Sequence, residues 1–276
     1  MLRRAKRTKA IRIGGLLFAL ALLSAMMAPW LGPAGPNAQR LELEFQFRPP
    51  GPNWLMGTDE FGRDVFSRVL WGGRWSLLVG LGAVVVGGGL GCAIGFVAGY
   101  FGGRVDRVIT ASTNLLMSFP SIMIGLIAAA ALGSSIVSVV GAIGLSVLPR
   151  FVRVARGEVL VIREREFVMS AKASGASDLA ILLRHIVPNS ASALIVMFTL
   201  YFPYAILVES SLSFLGIGMP ADSATWGRVV ADGREYLRIA PWLSLCPGAV
   251  ILVTSLGLNL LGDGLRDILD PKVYIG

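Results

Sequence analysis

Long apolar runs separated by polar segments dominate the hydrophobic pattern of this chain. The runs cover residues 13–30, 75–101, 115–151, 190–208 and 242–261. A helix needs about 20 predominantly apolar residues to cross a bilayer, so each run is a candidate span. The run 115–151 is too long for one helix, and Gly133, Ser134 and Ser135 offer a turn within it. We therefore predict six membrane-spanning helices, the third near 115–132 and the fourth near 136–151.

The second and third predicted spans carry small residues and a proline with structural consequences. A glycine stands at every fourth position along part of the second span: Gly87, Gly91, Gly95, Gly99 and Gly103. At helical spacing these glycines form one stripe, along which another helix can approach closely in lipid. We favour packing within this chain over a dimer interface. Pro120 is expected to kink the third span, because proline lacks the N–H group that a helix interior requires.

The composition agrees with an all-α integral membrane protein and argues against other classes. Of the 276 residues, 54% are hydrophobic and 15% are charged, whereas soluble domains carry about 25% charged residues. The net charge of +8 suggests no nucleic-acid partner, because the basic residues lie between apolar runs without a basic–aromatic module. Cys92 and Cys246 lie inside apolar runs, and His185 is the only histidine. Disulfide frameworks and multi-histidine metal sites are therefore excluded.

The basic N-terminal segment has two interpretations. Six Lys and Arg residues occur within residues 1–12, and a basic start, an apolar run and small residues near Ala25 and Ala28 also describe a signal peptide. We favour an uncleaved first span, because the rest of the chain is also membrane-embedded. Residues 1–74 are assigned to a cytoplasmic tail, the first span and an extracytoplasmic segment, and residues 75–276 to the membrane domain.

The distribution of Lys and Arg predicts the orientation. With six spans, most of these residues fall on the N-terminal side of the membrane. Cytoplasmic loops are enriched in positive residues. We therefore predict that both termini and the loop 150–189 are cytoplasmic.

A polar segment, REFVMSAKASGASDLAILLRHIVPN at residues 165–189, interrupts the apolar pattern. Residues 163–174 favour a helix, and Gly175 suits the positive φ at which many helices end. Ser177 is a suitable N-cap for a second helix over residues 178–187. The pattern alone favours an amphipathic loop at the membrane interface.

The charges of the second predicted helix agree with its direction. Asp178 lies in its first turn, and Arg184 and His185 lie in its last turn, where each complements the helix dipole. Pro188 suits either the end of this helix or the first turn of the next span.

Few side chains are candidates for catalysis or ion coupling. Among ionisable residues near the span interiors, Glu209 at the outer end of the fifth span is the ambiguous one. We favour an interfacial carboxylate over a candidate outer gate that lines a pathway. The chain has no GxxxxGK[ST] motif and no nucleophile–base pair. We therefore expect no catalytic residue, no metal ligand and no cofactor bound by this chain, so that another chain would have to supply ATP-driven energy.

Two further charged groups lie outside the spans. In the block at residues 57–68, helical spacing predicts an exposed pair between Asp64 and Arg68. The block is interpreted either as a cap on the outer face or as a docking surface. Three residues near the end of the sixth span are expected to be cytoplasmic anchors: Asp263, Arg266 and Asp267.

The polar segment resembles the EAA loop of ATP-binding-cassette (ABC) importer permeases. That pattern is EAA, three residues, Gly, nine residues, then I-x-L-P. The corresponding residues here are Met169-Ser170-Ala171, Gly175 and His185-Ile186-Val187-Pro188. Ala171, Gly175 and Pro188 match in register, whereas Met169 replaces the glutamate and His185 the isoleucine.

Other blocks resemble the second permease of dipeptide, oligopeptide and nickel importers. In chain order they are GTDEFGRDVFSR (57–68), GGRVDR (102–107), SFP (118–120), ESSLSFLGIGMP (209–220), WGRVVADGREYL (226–237), APWLSLCPG (240–248) and NLLGDGLRDILDP (259–271). The resemblance implies a type I importer permease fold of about six transmembrane helices, with its EAA loop at about 157–189, in a bacterial inner membrane.

The resemblance also implies partners and a role. They are a second homologous permease, two ABC ATPase subunits that use ATP, an extracytoplasmic solute-binding protein and membrane lipid. The implied ATPase-coupling residues are Met169, Ser170, Ala171, Gly175, Asp178, His185 and Pro188. The expected solutes are di- and oligopeptides, with nickel or a nickel chelate as the alternative. An ATP-independent channel or secondary transporter would leave the polar segment unexplained, and a membrane enzyme would lack catalytic side chains.

Overall fold

The computed structural model describes residues 2–32, 35–220 and 222–269, and the regular elements within these ranges are helical. The helices are α1 (Leu2–Met26), α2 (Ala28–Leu31), α3 (Val65–Phe101), α4 (Gly103–Met117), α5 (Ser121–Leu132), α6 (Ile136–Ile162), α7 (Glu166–Ala173), α8 (Asp178–Ile181), α9 (Val187–Phe214), α10 (Trp226–Gly233) and α11 (Trp242–Leu269). Short 3₁₀ turns occur at Leu43–Phe45 and Arg234–Tyr236. The predicted all-α class is confirmed.

Five helical segments in the described ranges are long and apolar enough to cross a membrane: Lys9–Met26, Val65–Phe101, Ile136–Ile162, Asp178–Phe214 and Trp242–Leu269. The pair α4 and α5 makes a sixth candidate if it is counted as one broken span. The core consists of two apolar clusters. One lies between α3, α5, α6 and α9, and the other joins α1, α3, α9, α10 and α11.

The third predicted span is broken rather than kinked. α4 ends at Met117, α5 begins at Ser121, and their axes differ by 92°. Pro120 precedes α5, where it provides no N–H group and disfavours helical geometry in Phe119. At a rise of 1.5 Å per residue α5 is about 18 Å long, which is shorter than a bilayer core of about 30 Å. The prediction of one continuous helix over 115–132 is therefore wrong, whereas α4 and α5 together stay a candidate for the sixth span.

The fourth predicted span is too short, because α6 continues to Ile162. Arg150, Arg153 and Arg156 follow one another at intervals of three and share one side of the helix. The Arg153 guanidinium donates to Asn114 Oδ1 at 3.0 Å, and the Arg156 Nη2 donates to Asp106 Oδ2 at 2.6 Å. Since α4 supplies these acceptors, the helix extends past its apolar run.

The predicted glycine stripe is a contact within this chain. A Cβ atom on Gly91 would lie 2.7 Å from the carbonyl oxygen of Leu148, and one on Gly95 would lie 2.5 Å from that of Val152. α3 therefore packs backbone against backbone on α6. Gly103 is the exception, because it opens α4 at a φ of +56° and a Cβ atom added there would have nothing within 4 Å.

The N-terminal helix packs on the last one. A Cβ atom on Gly14 would lie 2.6 Å from the carbonyl oxygen of Gly257. The boundary expected at residue 74 lies inside α3. Residues 1–74 and the helices that follow therefore share one packed bundle over their described parts.

The expected pair between Asp64 and Arg68 does not form. The Asp64 carboxylate instead caps α3 by accepting hydrogen bonds from the N–H groups of Phe66 and Ser67. Arg68 is only 2% exposed and donates to Asp59 at 3.1 Å and to Asp232 at 2.9 Å. The pair was predicted from local spacing, whereas Arg68 has a more distant partner on α10.

Asp59 is the centre of a buried ionic cluster. Its carboxylate accepts hydrogen bonds from the N–H groups of Phe61 and Arg63, both at 2.9 Å, and from the side chains of Arg63 at 2.6 Å and Arg68 at 3.1 Å. The cluster joins the segment before α3 to α10 through Asp232. It therefore holds the end of the bundle at which α3 begins.

We expect Asp59→Ala to lower the free energy of unfolding by about 3–5 kcal/mol, because it removes the carboxylate that the guanidinium groups of Arg63 and Arg68 share. Glu44→Ala is the matched control, since the Glu44–Arg48 pair is exposed and 3.5 Å long, and such pairs contribute at most about 1 kcal/mol. Unfolding in detergent, followed by circular dichroism, measures both. Equal losses in the two variants would contradict the central role of Asp59.

Candidate functional site

The polar segment forms two short helical arms joined at Gly175, which we call the elbow (residues 166–186). Its first arm, α7, ends where Gly175 takes a φ of +79°. The Gly175 N–H donates to the Lys172 carbonyl, and the Ala176 N–H donates to the Ala171 carbonyl, both at 3.1 Å. This pair of bonds is a Schellman ending. The predicted helix stop at Gly175 is confirmed.

The second arm begins as expected and ends differently. Ser177 is the N-cap of α8, and its Oγ accepts from the Ala180 N–H at 3.3 Å. The helix does not stop at residue 187, because a wider π turn at Leu182–Ile186 joins it to α9. Pro188 lies in the first turn of α9, where its missing N–H group is tolerated. The second arm therefore continues into a membrane-spanning helix.

Buried side chains and one hydrogen bond attach the elbow to the bundle, and a second bond joins the ends of α3 and α6. Val168, Ile181 and Ile186 are buried in the cluster between α3, α6 and α9. The Tyr100 hydroxyl donates to Asp178 Oδ1 at 2.7 Å, and Arg163 Nη1 donates to the Gly99 carbonyl at 2.9 Å. A displacement of the elbow is therefore transmitted to the ends of α3 and α6.

The outward surface of the elbow carries large apolar side chains among charged and polar ones. Four large side chains are between 42% and 65% exposed: Phe167, Met169, Leu179 and Leu183. Ser170 is also exposed, whereas His185 is half-buried, with its ring centroid 6.3 Å from that of Phe167. An exposed apolar surface of this kind is typical of an interaction site.

The resemblance implied that Ala171 and Gly175 contact an ATPase. Ala171 and Ala176 instead are partly buried and pack against the bundle, while Ala173 and Gly175 are exposed. Leu179 and Leu183 were not among the predicted site residues. Their spacing of four in a segment assigned outside the membrane was the signal that could have revealed an apolar face.

Glu209 lies near the opposite end of α9, about 36 Å from His185 at a rise of 1.5 Å per residue. Its side chain is fully buried, and the Ser213 hydroxyl donates to Oε1 at 2.8 Å. Its Oε2 has no hydrogen-bond partner among the described residues. The interpretation as an interfacial carboxylate is wrong, because neighbouring helices enclose it. The outer-gate role stays a prediction.

The remaining charged candidates lie on α11. Asp263, Arg266 and Asp267 are exposed on the last turns of α11. Their proposed anchoring role stays a prediction. The expectations for Met1 and for the tail at 270–276 fall outside the described residues.

Comparison with known proteins identifies similar sequences over nearly the whole chain. A family model described as "Binding-protein-dependent transport system inner membrane component" matches residues 91–274. This match contains the elbow, the glycine stripe from Gly91 onward, and α11.

Three relatives illustrate the range of similar proteins. A Brucella suis protein, provisionally named a peptide transport system permease protein, is 44% identical over 99% of this chain and 91% of its own length. A dipeptide transport system permease protein from Alkalihalophilus pseudofirmus is 39% identical over 97% and 88%. A glutathione transport system permease protein from Pectobacterium atrosepticum is 41% identical over 82% and 74%.

Proposed function

Because this chain belongs to the family of binding-protein-dependent transport system inner membrane components, we propose that it is one of two homologous permease subunits in an ATP-driven importer of di- and oligopeptides. The family consists of membrane components of transport systems, so the chain is a multi-pass inner membrane protein and not an enzyme. The observation that carries the proposal is the elbow, whose inner side chains pack on the bundle while four large apolar side chains on its outer surface stay exposed in this chain.

In this proposal, each of two ABC ATPase subunits receives one elbow, from this chain or from its homologous partner. Phe167, Met169, Leu179 and Leu183 would enter an apolar groove of the ATPase, and Met169 would make a nonpolar contact where the family pattern has a carboxylate. The ATPases use the ATP, and this chain binds no cofactor. Closure of the ATPases would displace the elbow and, through Tyr100 and Arg163, the ends of α3 and α6.

The orientation follows from the same arrangement. The elbow and both termini face the cytoplasm, in agreement with the excess of Lys and Arg on that side. The ionic cluster around Asp59 lies at the other end of α3 and faces the extracytoplasmic solute-binding protein. Glu209 is then placed beneath that outer surface, consistent with a gate.

The substrate class rests on the relatives. Their names refer to peptide, dipeptide and glutathione transport. We therefore propose peptides as the solutes of this chain. Nickel, free or chelated, is the alternative for the same architecture, and uptake measurements separate the two.

A pull-down in mild detergent tests the proposal. The tagged chain is purified from its native membrane, and co-purifying chains are identified by mass spectrometry. We expect a second permease and P-loop ATPases. The solute-binding protein of this importer is then screened against dipeptides, longer peptides and Ni²⁺, and the complete importer is tested for uptake in proteoliposomes.

The outcomes distinguish the competing functions. ATP-dependent peptide uptake supports the proposal, and ATP-dependent Ni²⁺ uptake without peptide uptake favours the alternative. A chain that purifies alone in several detergents and transports without ATP would overturn the importer proposal in favour of a channel or secondary transporter.

A further inference from the structure

A cavity of about 270 Å³ lies beside the break between α4 and α5. Its wall includes the break itself, at Ser118, Pro120 and Ser121, and the middle of α6, at Ser146, Pro149 and Arg150. No acidic residue lines it among the described residues. The lining of the cavity therefore includes hydroxyl groups and a guanidinium but no carboxylate among the described residues.

Arg150 lacks an ionic partner in this cavity. Its Nη1 is buried and has no hydrogen-bond acceptor among the described residues. The guanidinium lies 5.8 Å from the ring centroid of Tyr201 and 5.4 Å from that of Tyr204, which hold it in place. By contrast, Arg153 and Arg156 on the same helix are bonded to α4. Arg150 as a whole is half-buried, but its buried Nη1 without an acceptor is costly, so the site is suited to an anionic ligand.

The start of α5 adds further donors to the same wall. Ser121 is the first residue of α5, and no side chain caps this terminus because its N-cap is Pro120. Free N–H groups and the helix dipole favour an anion at such a position. The Ser118 and Ser146 hydroxyls already donate to backbone carbonyls at 3.0 and 2.7 Å. The available donors are therefore the Arg150 guanidinium and the start of α5.

We propose that this cavity binds the terminal carboxylate of a peptide during its passage through the membrane. The inference rests on the proposed function, since it assumes that peptides pass this chain. Every linear peptide ends in a carboxylate, whatever its side chains, and guanidinium–carboxylate pairs are strong and directional. The cavity is large enough for the carboxylate and its last residue, and it leaves the remainder of the peptide outside. A Ni²⁺ ion would be repelled by the same donors.

The test compares three variants in the complete importer, reconstituted with its partner permease, ATPases and solute-binding protein. Arg150→Gln removes the charge, Arg150→Lys keeps it, and Arg153→Gln removes a charge from the same helix outside the cavity. Uptake of a dipeptide, ATP hydrolysis and the subunit composition are measured for each. We expect Arg150→Gln to lower uptake about tenfold or more, as for loss of a hydrogen bond between charged groups. The rate of ATP hydrolysis should stay within about twofold of the wild-type rate. Arg150→Lys should retain much of the wild-type uptake, because it keeps the positive charge.

A photoreactive dipeptide, alanyl-benzoylphenylalanine, tests binding without the solute-binding protein, which could itself recognise a carboxylate. With a free carboxylate it should label α5 or the middle of α6 in the wild type. The labelling should fall both with the C-terminal amide and in Arg150→Gln. Arg153→Gln should be labelled like the wild type.

Three results would overturn the proposal. If wild-type and Arg150→Gln importers take up and bind the dipeptide equally, this cavity is not the carboxylate site, although the proposed function stands. If Arg150→Gln loses the second permease on purification, Arg150 belongs to a subunit contact. If the wild type takes up no peptide of any length, the proposed function itself fails and the carboxylate site fails with it.

Discussion

Replacement of Gly175 by leucine is expected to reduce ATP-driven uptake to background while the chain still inserts and assembles. Gly175 has a φ of +79°, and an added Cβ would meet nothing within 4 Å. The substitution therefore leaves the packing of the bundle unchanged. Its cost of about 1–2 kcal/mol is the strain of a left-handed backbone, and the elbow relieves that strain by changing its angle. Because the angle determines where Phe167 and Leu179 lie, contact with the ATPase would be lost.

Gly216 supplies the matched control. It has a φ of +80°, ends α9 with the same pair of hydrogen bonds as Gly175 and has nothing within 4 Å of an added Cβ, so Gly216→Leu imposes the same backbone strain away from the elbow. Gly175→Asn is the second control, because asparagine tolerates left-handed geometry. Uptake in proteoliposomes and ATPase co-purification measure all three variants. Loss of uptake in Gly216→Leu to the same extent, or normal uptake in Gly175→Leu, would refute a coupling role for the angle.

The elbow was predictable because its determinants are local. A glycine at C′ and a serine at the N-cap act on backbone groups within a few residues, and both occur where the sequence suggested. The π turn was not predictable. Ile181 and Ile186 are five residues apart, and both are buried in the bundle. A π turn brings residues i and i+5 to nearly the same side of a helix, whereas an α-helix would separate them.

The ionic cluster and the end of α6 could not be predicted, because they depend on residues that are distant in the sequence. The Asp232 carboxylate, which accepts a hydrogen bond from Arg68, lies 164 positions later in the sequence. Local spacing instead suggested Asp64 as the partner. Likewise, α6 continues through Arg153 and Arg156 because α4 supplies their acceptors, the Asn114 amide oxygen and the Asp106 carboxylate. Sequence patterns identify apolar runs, but tertiary partners decide how far a helix extends beyond them.

The unpaired Arg150 was missed for a related reason. The positive-inside comparison counted it with the loop 150–189, since charged residues mark the ends of apolar runs. The structure puts it in the middle of α6 and beside a cavity. The spacing of three between Arg150, Arg153 and Arg156 was the available signal of a continuing helix, but it could not show which arginine lacks an acceptor.

The close packing of α3 on α6 leads to the second large expected effect. Gly87→Leu should abolish the accumulation of folded, monodisperse protein. An added Cβ would overlap with the carbonyl oxygen of Gly144 and lie 2.6 Å from its Cα. Backbone atoms on a buried helix cannot move aside as a flexible side chain can. The helices would have to separate, which would disrupt the core shared by α3, α6 and α9.

Gly89 is the control within the same helix. It lies two residues away, and an added Cβ there would meet nothing within 4 Å. Gly89→Leu adds the same volume and the same helix propensity, so only the contact with α6 differs. Size-exclusion chromatography of fluorescently tagged protein in mild detergent compares the two variants at equal expression. A monodisperse Gly87→Leu would mean that α3 and α6 tolerate separation, and the elbow could then move without carrying both helices with it. If the monodisperse peak is lost in Gly87→Leu but kept in Gly89→Leu, α3 and α6 form a rigid pair. A displacement of the elbow would then reach the membrane through this pair.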